Sequence, residues 1–149
     1  MAGNTNAHAD LRHGLSWLAL TAALAVHVAD EAAHDFLSFY NPNAAAIRAA
    51  LPFLPLPAFT FESWLTSLGL AIVVLTVLSA APFRGARWAI PASAIYAGLM
   101  TANGLFHMTG SLVLCRALPG VLSSPLLLAA ALWLFVAVRR ARAARATAL

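Results

Sequence analysis

The sequence has few charged residues and no lysine at all. Only 9% of its 149 residues are charged, 62% are hydrophobic, and all nine basic residues are arginines. Soluble domains carry roughly 25% charged residues, and a chain this short leaves much of its surface exposed. A water-soluble fold could not hide this much apolar surface. The scarcity of charge therefore excludes an ordinary soluble domain and predicts an integral membrane protein.

Cysteine is also scarce, and the basic residues do not form an extended patch. The single cysteine, Cys115, excludes an intramolecular disulfide. The net charge is +4, but the arginines lie in short clusters between apolar runs, as in the flanks of membrane spans. Because the sequence contains neither a basic groove nor a known nucleic-acid-reading motif, no nucleic-acid partner is expected. The expected partner of this surface is membrane lipid.

Four apolar segments are long enough to cross a bilayer. Each has at least 18 residues, which as a helix span roughly 30 Å of hydrocarbon. The sequence therefore predicts an all-α fold, a four-transmembrane-helix bundle. The predicted spans cover residues 13–36, 59–81, 88–115 and 121–138.

A single membrane domain over residues 13–138 accounts for most of the chain. Residues 1–12 are predicted to be a disordered cytoplasmic lead, and residues 139–149 a basic cytoplasmic tail. The one long connection, residues 38–58, contains four prolines, which argue against a continuous helix. A short helix over about residues 44–50 is expected there.

The arginines predict the orientation of the spans. In a four-span protein seven of them fall on one side of the membrane, and only Arg48 and Arg116 fall on the other. Positively charged residues concentrate on the cytoplasmic side. The sequence therefore predicts a multi-pass protein of the cell inner (plasma) membrane, with both termini in the cytoplasm.

The first span carries a concentration of ionisable residues. His27, Asp30, Glu31 and His34 share one helical face about 100° wide, and the opposite face is apolar. A charged side chain near the bilayer centre costs at least about 2.5 kcal/mol. These residues are therefore expected to face partners inside the bundle.

The other spans place candidate partners at the same depth. Glu62 lies near the start of the second span, and Asn103 and His107 share a face of the third. With the orientation above, these residues and the polar face of the first span all lie in the outer half of the membrane. We therefore expect one pocket that contains His27, Asp30, Glu31, His34, Glu62, Asn103 and His107.

Imidazoles and carboxylates together suit Zn, Fe, Mn or Cu. Glu31 and His34 have the Glu-x-x-His spacing of di-iron helical bundles, but Gly104 stands three residues before His107, so a symmetric di-iron set is absent. A mononuclear or irregular two-metal site is therefore predicted. The expected ligands of a divalent metal, Zn or Fe, are His27, Glu31, His34 and His107.

The remaining polar residues are assigned supporting roles in catalysis. Asp30 or Glu62 would complete the coordination sphere or act as general base, and Asn103 would orient the substrate. The leading hypothesis is a metal-dependent membrane enzyme that acts on a lipophilic small molecule. His8 and His13 lie in the polar lead, are expected to be solvated, and are assigned no role.

Three alternatives stay open at this point. Carboxylate and imidazole alone could serve a metal-free isomerase, and the same residues mark proton- or cation-coupled transporters, which could work as a homo-oligomer. The chain could also be a structural or accessory membrane subunit in which the polar residues form a network that fixes helix packing.

Three short motifs resemble the HXXEE-domain family of small bacterial membrane proteins. They are His27-x-x-Asp30-Glu31 followed by Asn41-Pro42, Asn103-Gly-Leu-Phe-His107, and Leu118-Pro119-Gly120-Val121. The likeness covers nearly the whole chain in order. Asp30 stands where the family motif has Glu, one methylene longer, which alters the reach of this carboxylate to any metal. The resemblance supports the choice of residues but names no reaction.

Overall fold

All regular secondary structure in the described part of the chain is helical. The structure, a computed structural model, describes residues 2–146, with side chains from residue 7 onward. The elements are α1 (Ala2–Ala33), α2 (Phe36–Ala50), α3 (Phe61–Leu78), α4 (Ala80–Phe83), α5 (Ala89–Val113) and α6 (Ser124–Ala146).

Four helical stretches are long and apolar enough to cross a membrane. They confirm the all-α, four-helix prediction and identify a membrane protein. The second stretch joins α3 and α4 across Ser79, and the capping box of Thr60 and Ser63 begins it. The stretches are Ala7–Ala33, Phe61–Phe83, Ala89–Val113 and Ser124–Ala146.

Both ends of the chain are more helical than the sequence predicted. Residues 2–12 belong to α1, so the prediction of a disordered lead was wrong for them. Asp10 Oδ1 lies 3.2 Å from Arg145 Nη2, a contact between distant parts of the chain that sequence pattern alone does not reveal. Helix α6 continues into the predicted basic tail as far as Ala146, and residues 147–149 lie outside the described residues.

The connection after the first span is also more helical than expected. Helix α2 begins at Phe36 and continues past Pro42, although a proline inside a helix removes one backbone hydrogen bond. Asp35 has a left-handed backbone, with φ 53°, and separates α1 from α2. Asn41 joins α2 to the start of the next span, since its Nδ2 donates to the Phe59 carbonyl at 2.9 Å.

Helix α6 is the centre of the bundle. It packs along both α1 and α5, while α3 and α4 pack on α1. The fully buried leucines of this core are Leu20, Leu127 and Leu134. The indole of Trp17 fixes α1 against α3 by donating to the Leu75 carbonyl at 2.8 Å.

Contacts at the helix ends show that the spans run up and down. The start of α1 meets the end of α6 through Asp10 and Arg145, and the end of α1 meets the start of α6 through Asp30 and Ser123. Gly85, in the turn before α5, lies against Asp10. The end of the bundle at which Asp10 meets Arg145 is called the arginine-rich end below. Arg12, Arg84, Arg87 and the arginines of α6 lie there.

Candidate metal centre

Three of the predicted ligands converge at the other end of the bundle. His27 and Glu31 lie one turn apart on α1, and His107 comes from α5. The Glu31 Oε1 atom is 3.1 Å from His107 Nε2 and 3.7 Å from His27 Nε2. One potential ligand atom from each residue lies within 4.8 Å of the other two. The expected closeness of His107 and Glu31 is confirmed, and these three residues are called the His/Glu cluster below.

The His/Glu cluster is almost completely shielded. The exposed fraction is 0% for His27, 2% for His107 and 5% for Glu31. Burying a carboxylate beside two imidazoles is costly unless a partner compensates its charge. Either protonated imidazole or a bound cation can supply that compensation.

The spacing within the cluster suits one metal ion. Imidazole nitrogen and carboxylate oxygen ligands lie about 2.0–2.2 Å from zinc, so two ligands of one tetrahedral ion lie about 3.3–3.6 Å apart. The two distances from Glu31 Oε1, 3.1 Å to His107 and 3.7 Å to His27, lie on either side of this range. All three ligand atoms lie within 4.8 Å of one another, so the cluster would contract to bring them onto one ion.

Each histidine of the cluster has one buried ring nitrogen without a partner. Within the described part of the chain, neither His27 Nε2 nor His107 Nδ1 has a hydrogen-bond partner. Buried polar atoms are nearly always satisfied, and exceptions call for an explanation. A cation bound at His27 Nε2 would satisfy that atom.

Gly120 covers the two imidazole rings from the connection between α5 and α6. Its φ is +86°, and a Cβ added there would lie 2.9 Å from His27 Cε1 and 3.0 Å from His107 Nδ1. Glycine is therefore required twice, by the backbone conformation and by the space. The motif Leu118-Pro119-Gly120-Val121 contains this glycine, but the sequence does not reveal its contact with the histidines.

Ser123 is the residue of the site that sequence reasoning missed. Its Oγ lies 2.8 Å from His27 Nδ1 and donates to Asp30 Oδ2 at 2.7 Å. Its backbone N–H also donates to Asp30 Oδ2, at 2.9 Å. A hydroxyl three residues after Gly120, at the depth of the polar face, was the available signal.

Four of the seven predicted residues do not join the cluster. Asp30 is directed to Ser123 instead, and His34 is 52% exposed, with its Nδ1 2.9 Å from Asp30 Oδ1. Glu62 is exposed in the first turn of α3, and Asn103 is partly buried one turn before His107. The expectation that all seven side chains share one pocket was wrong, because the face of α3 that carries Glu62 does not point into the bundle.

Aromatic rings surround the His107 side of the cluster. The ring centroid of Phe36 is 5.9 Å from that of His107, and the Phe106 centroid is 5.6 Å away. Trp64 of α3 packs on Phe36 at 5.8 Å. The rings of His27 and His107 themselves meet edge to face at 4.8 Å. The cluster therefore lies in a largely apolar environment.

His13 was expected to be solvated, and this was wrong. Its side chain is fully buried, and its Nε2 lies 2.7 Å from Ser93 Oγ of α5. The helix continues through the predicted lead, so His13 faces the bundle instead of the surface.

Several of the residues that carry the HXXEE resemblance lie at this site. His27, Glu31 and His107 form the cluster, Asp30 contacts it through Ser123, and Gly120 covers it. Membership of that family stays a prediction. Comparisons with protein-family models, with curated proteins and with solved structures found no match.

Proposed function

We propose that this protein is a metal-dependent membrane enzyme that acts on a lipophilic small molecule. The observation that carries the proposal is the convergence of His27, Glu31 and His107, three buried donors from two helices. Two imidazoles and one carboxylate hold catalytic zinc and non-haem iron, and leave further coordination positions for water or substrate. A structural zinc site would be closed by a fourth protein ligand. We therefore propose one Zn or Fe ion in this site.

The surroundings of the cluster support a lipophilic substrate. All three residues lie within stretches that are able to span a membrane, and aromatic side chains border His107. Because the cluster is at most 5% exposed, a substrate that partitions into the bilayer would reach it from the side by displacing these aromatic rings. With the arginine-rich end in the cytoplasm, the site would lie in the outer half of the plasma membrane.

The supporting roles differ from residue to residue. Asn103 lies on α5 one turn before His107 and is partly buried, so it is the best placed to orient a substrate. Asp30 is engaged with Ser123 and His34, which favours a positioning role over that of a general base. Glu62 is exposed, and we assign it no contact with the metal. The bound metal would supply Lewis acidity or activate a ligand; hydrolysis, isomerisation and oxidation are all compatible with the donor set.

Elemental analysis of the purified full-length chain tests the proposal. The protein is supplied with Zn²⁺ or, without oxygen, Fe²⁺, and is then freed of excess metal. We expect about one ion per chain in the wild type, a loss of most of it in His107→Ala, and retention in the control Glu62→Gln. Size-exclusion profiles and thermal unfolding establish that the variants are folded. Less than about a tenth of an ion per wild-type chain after metal addition would refute the proposal.

One observation favours a second candidate, a metal-free isomerase that uses the same residues. The 3.1 Å contact of Glu31 and His107 is also the geometry of a carboxylate–imidazolium pair, which can transfer protons along an apolar substrate. This candidate predicts activity that is unaffected by chelators but lost in Glu31→Gln. The metal enzyme predicts loss of activity with chelators and recovery on addition of one metal.

A further inference from the structure

We propose that Ser123 and Asp30 are positioning residues that fix the tautomer of His27, so that its Nε2 presents a lone pair to the site. The inference deepens the proposed metal site and rests on it for its purpose. The tautomer itself is a property of the metal-free chain and is tested separately below.

The hydroxyl of Ser123 lies within hydrogen-bond distance of both His27 and Asp30. Its Oγ is 2.8 Å from His27 Nδ1 and 2.7 Å from Asp30 Oδ2. The backbone N–H of Ser123 also donates to Asp30 Oδ2, at 2.9 Å. Because an ionised carboxylate has no hydrogen to donate, Asp30 is the acceptor in both contacts.

The number of available hydrogens then determines which ring nitrogen of His27 carries a proton. A serine hydroxyl has a single hydrogen. If that hydrogen went to His27 Nδ1, the Ser123 and Asp30 oxygens would face each other at 2.7 Å with no proton between them. The hydroxyl therefore donates to Asp30, and the Nδ1–H group of His27 donates to Ser123. The Gly120 carbonyl, at 3.1 Å, is a more distant and uncharged acceptor for the hydroxyl, so the carboxylate of Asp30 decides where the hydrogen points.

This assignment determines the state of the other ring nitrogen of His27, Nε2. A neutral imidazole with its proton on Nδ1 has a bare lone pair on Nε2. In His27 that atom is buried, has no hydrogen-bond partner within the described residues, and lies 3.7 Å from Glu31 Oε1. A metal-binding histidine is commonly prepared in this way, by donating its other ring N–H to a neighbouring acceptor.

Nuclear magnetic resonance of the metal-free full-length protein, labelled with ¹⁵N-histidine, reads the tautomer directly. In the wild type we expect His27 to carry its proton on Nδ1. Asp30→Ala frees the Ser123 hydroxyl to donate to Nδ1, so we expect the proton to move to Nε2. Ser123→Ala removes the acceptor and should also populate the Nε2–H form, whereas Ser123→Thr keeps a hydroxyl and should retain the wild-type form.

Ser124→Ala is the matched control. Ser124 is fully buried beside Ser123, but its hydroxyl donates to the Gly120 carbonyl at 2.8 Å and does not contact His27. We expect this variant to keep the wild-type tautomer and metal affinity. Ser123→Ala should bind metal about 10- to 100-fold more weakly, the usual effect of losing the partner of a ligand.

The outcomes separate this inference from the proposed function. A wild-type His27 with its proton on Nε2, or the wild-type tautomer persisting in both Ser123→Ala and Asp30→Ala, would overturn the positioning role. If the tautomers change as expected but the wild type binds no metal, the positioning role stands and the metal enzyme fails.

A different observation, at the arginine-rich end, carries a second inference. We propose that a groove between α1 and α6 binds the phosphate headgroup of an anionic membrane phospholipid. The groove has a volume of about 400 Å³, and arginines from both helices lie on it. Its lining residues are His8, Ala9, Arg12, Trp133, Val136, Ala137, Arg140 and Ala144.

The chemistry of the groove matches an amphiphile with a negative head. Arg12 and Arg140 are exposed and can bind phosphate oxygens through several N–H groups. The nearby carboxylate of Asp10 is already paired with Arg145. Trp133 and Val136 also remain partly exposed, one to two helical turns nearer the middle of the membrane, where an acyl chain would lie.

Lipid binding by native mass spectrometry tests this site. Phosphatidylglycerol and phosphatidylcholine are added to the purified protein, with inorganic phosphate as a competitor. The variant Arg12→Gln/Arg140→Gln should lose roughly 30-fold in phosphatidylglycerol affinity. The control Arg84→Gln/Arg87→Gln removes the same charge from the same end and should retain binding.

Three results would overturn the lipid site. Equal losses in the two double variants would mean that only net charge matters. Equal affinity for the two lipids would mean that the arginines do not select an anionic head. Full competition by millimolar inorganic phosphate would mean that the groove binds phosphate without the lipid.

Discussion

Two histidines on α1 share the same burial but have different surroundings. His13 and His27 are 14 residues apart, about four helical turns, so they lie on the same face. Both are fully buried, and each bonds a serine hydroxyl of another segment, at 2.7 Å to Ser93 and 2.8 Å to Ser123. In each ring the second nitrogen has no partner within the described residues.

The difference lies in what faces that second nitrogen. The Nε2 atom of His27 faces Glu31 at 3.7 Å, with the His107 ring beside it. The neighbouring carboxylate of His13, Asp10, is paired with Arg145 instead. Burial and a serine partner are therefore common to a packed histidine and a candidate ligand. The convergence of further donors is what distinguishes the candidate ligand.

The largest expected effect comes from replacing each histidine with glutamine. His27→Gln should reduce metal affinity by more than the 10- to 100-fold expected for loss of a ligand's partner, because a ligand itself is removed. His13→Gln should leave metal content unchanged, since His13 belongs to no group of three potential ligands among the described residues. Metal titration followed by elemental analysis measures both. Equal losses in two folded variants would contradict the distinction between the two histidines.

A second comparison is between Gly85 and Gly120, two glycines with a left-handed backbone conformation. Gly120 has φ +86° and lies over the His/Glu cluster, whereas Gly85 has φ +64° and its added Cβ would lie 2.6 Å from Asp10 Oδ2. Alanine at either position should lower the free energy of unfolding by about 1–2 kcal/mol. Only Gly120→Ala should also weaken metal binding, because its Cβ would displace the imidazoles. Thermal unfolding and metal titration of the two variants separate these effects, and a metal defect in Gly85→Ala would argue against a local cause.

The smallest expected effect concerns the ion pair at the arginine-rich end. Asp10 and Arg145 are each about a quarter exposed, so Asp10→Asn should lower the free energy of unfolding by less than about 1 kcal/mol. The loss should shrink further at high salt, and metal binding should not change. Unfolding measured at low and high ionic strength checks this, and a large, salt-independent loss would show that the pair contributes more than an exposed contact.

The number of spans and part of the site could be predicted because bilayer thickness and helical periodicity fix them. The period of α1 places His27 and Glu31 one turn apart on one face, and the depth of His107 in its span brings it to the same level. The 3.1 Å contact between His107 and Glu31 confirms that reasoning.

The sequence-based predictions that were wrong or missing also have physical explanations. Helix α3 has no charged residue after Glu62, so no charged stripe fixes its rotation, and Glu62 is exposed. Ser123 was missed because its position depends on the conformation of the connection from Leu114 to Ser123, which periodicity does not describe. The helical start of α1 was missed because its contact with Arg145 joins opposite ends of the chain.

The packing around α6 implies that the His/Glu cluster also contributes to the stability of the bundle. Helices α1 and α5 each lie along α6, and they also meet directly through side chains, with Glu31 and His107 joining them at one end and His13 and Ser93 at the other. An ion held there would act as a clamp across the bundle, and its binding energy would add to folding stability. Removing it should loosen the end of the molecule around Gly120 first, while the leucine core further along stays closed.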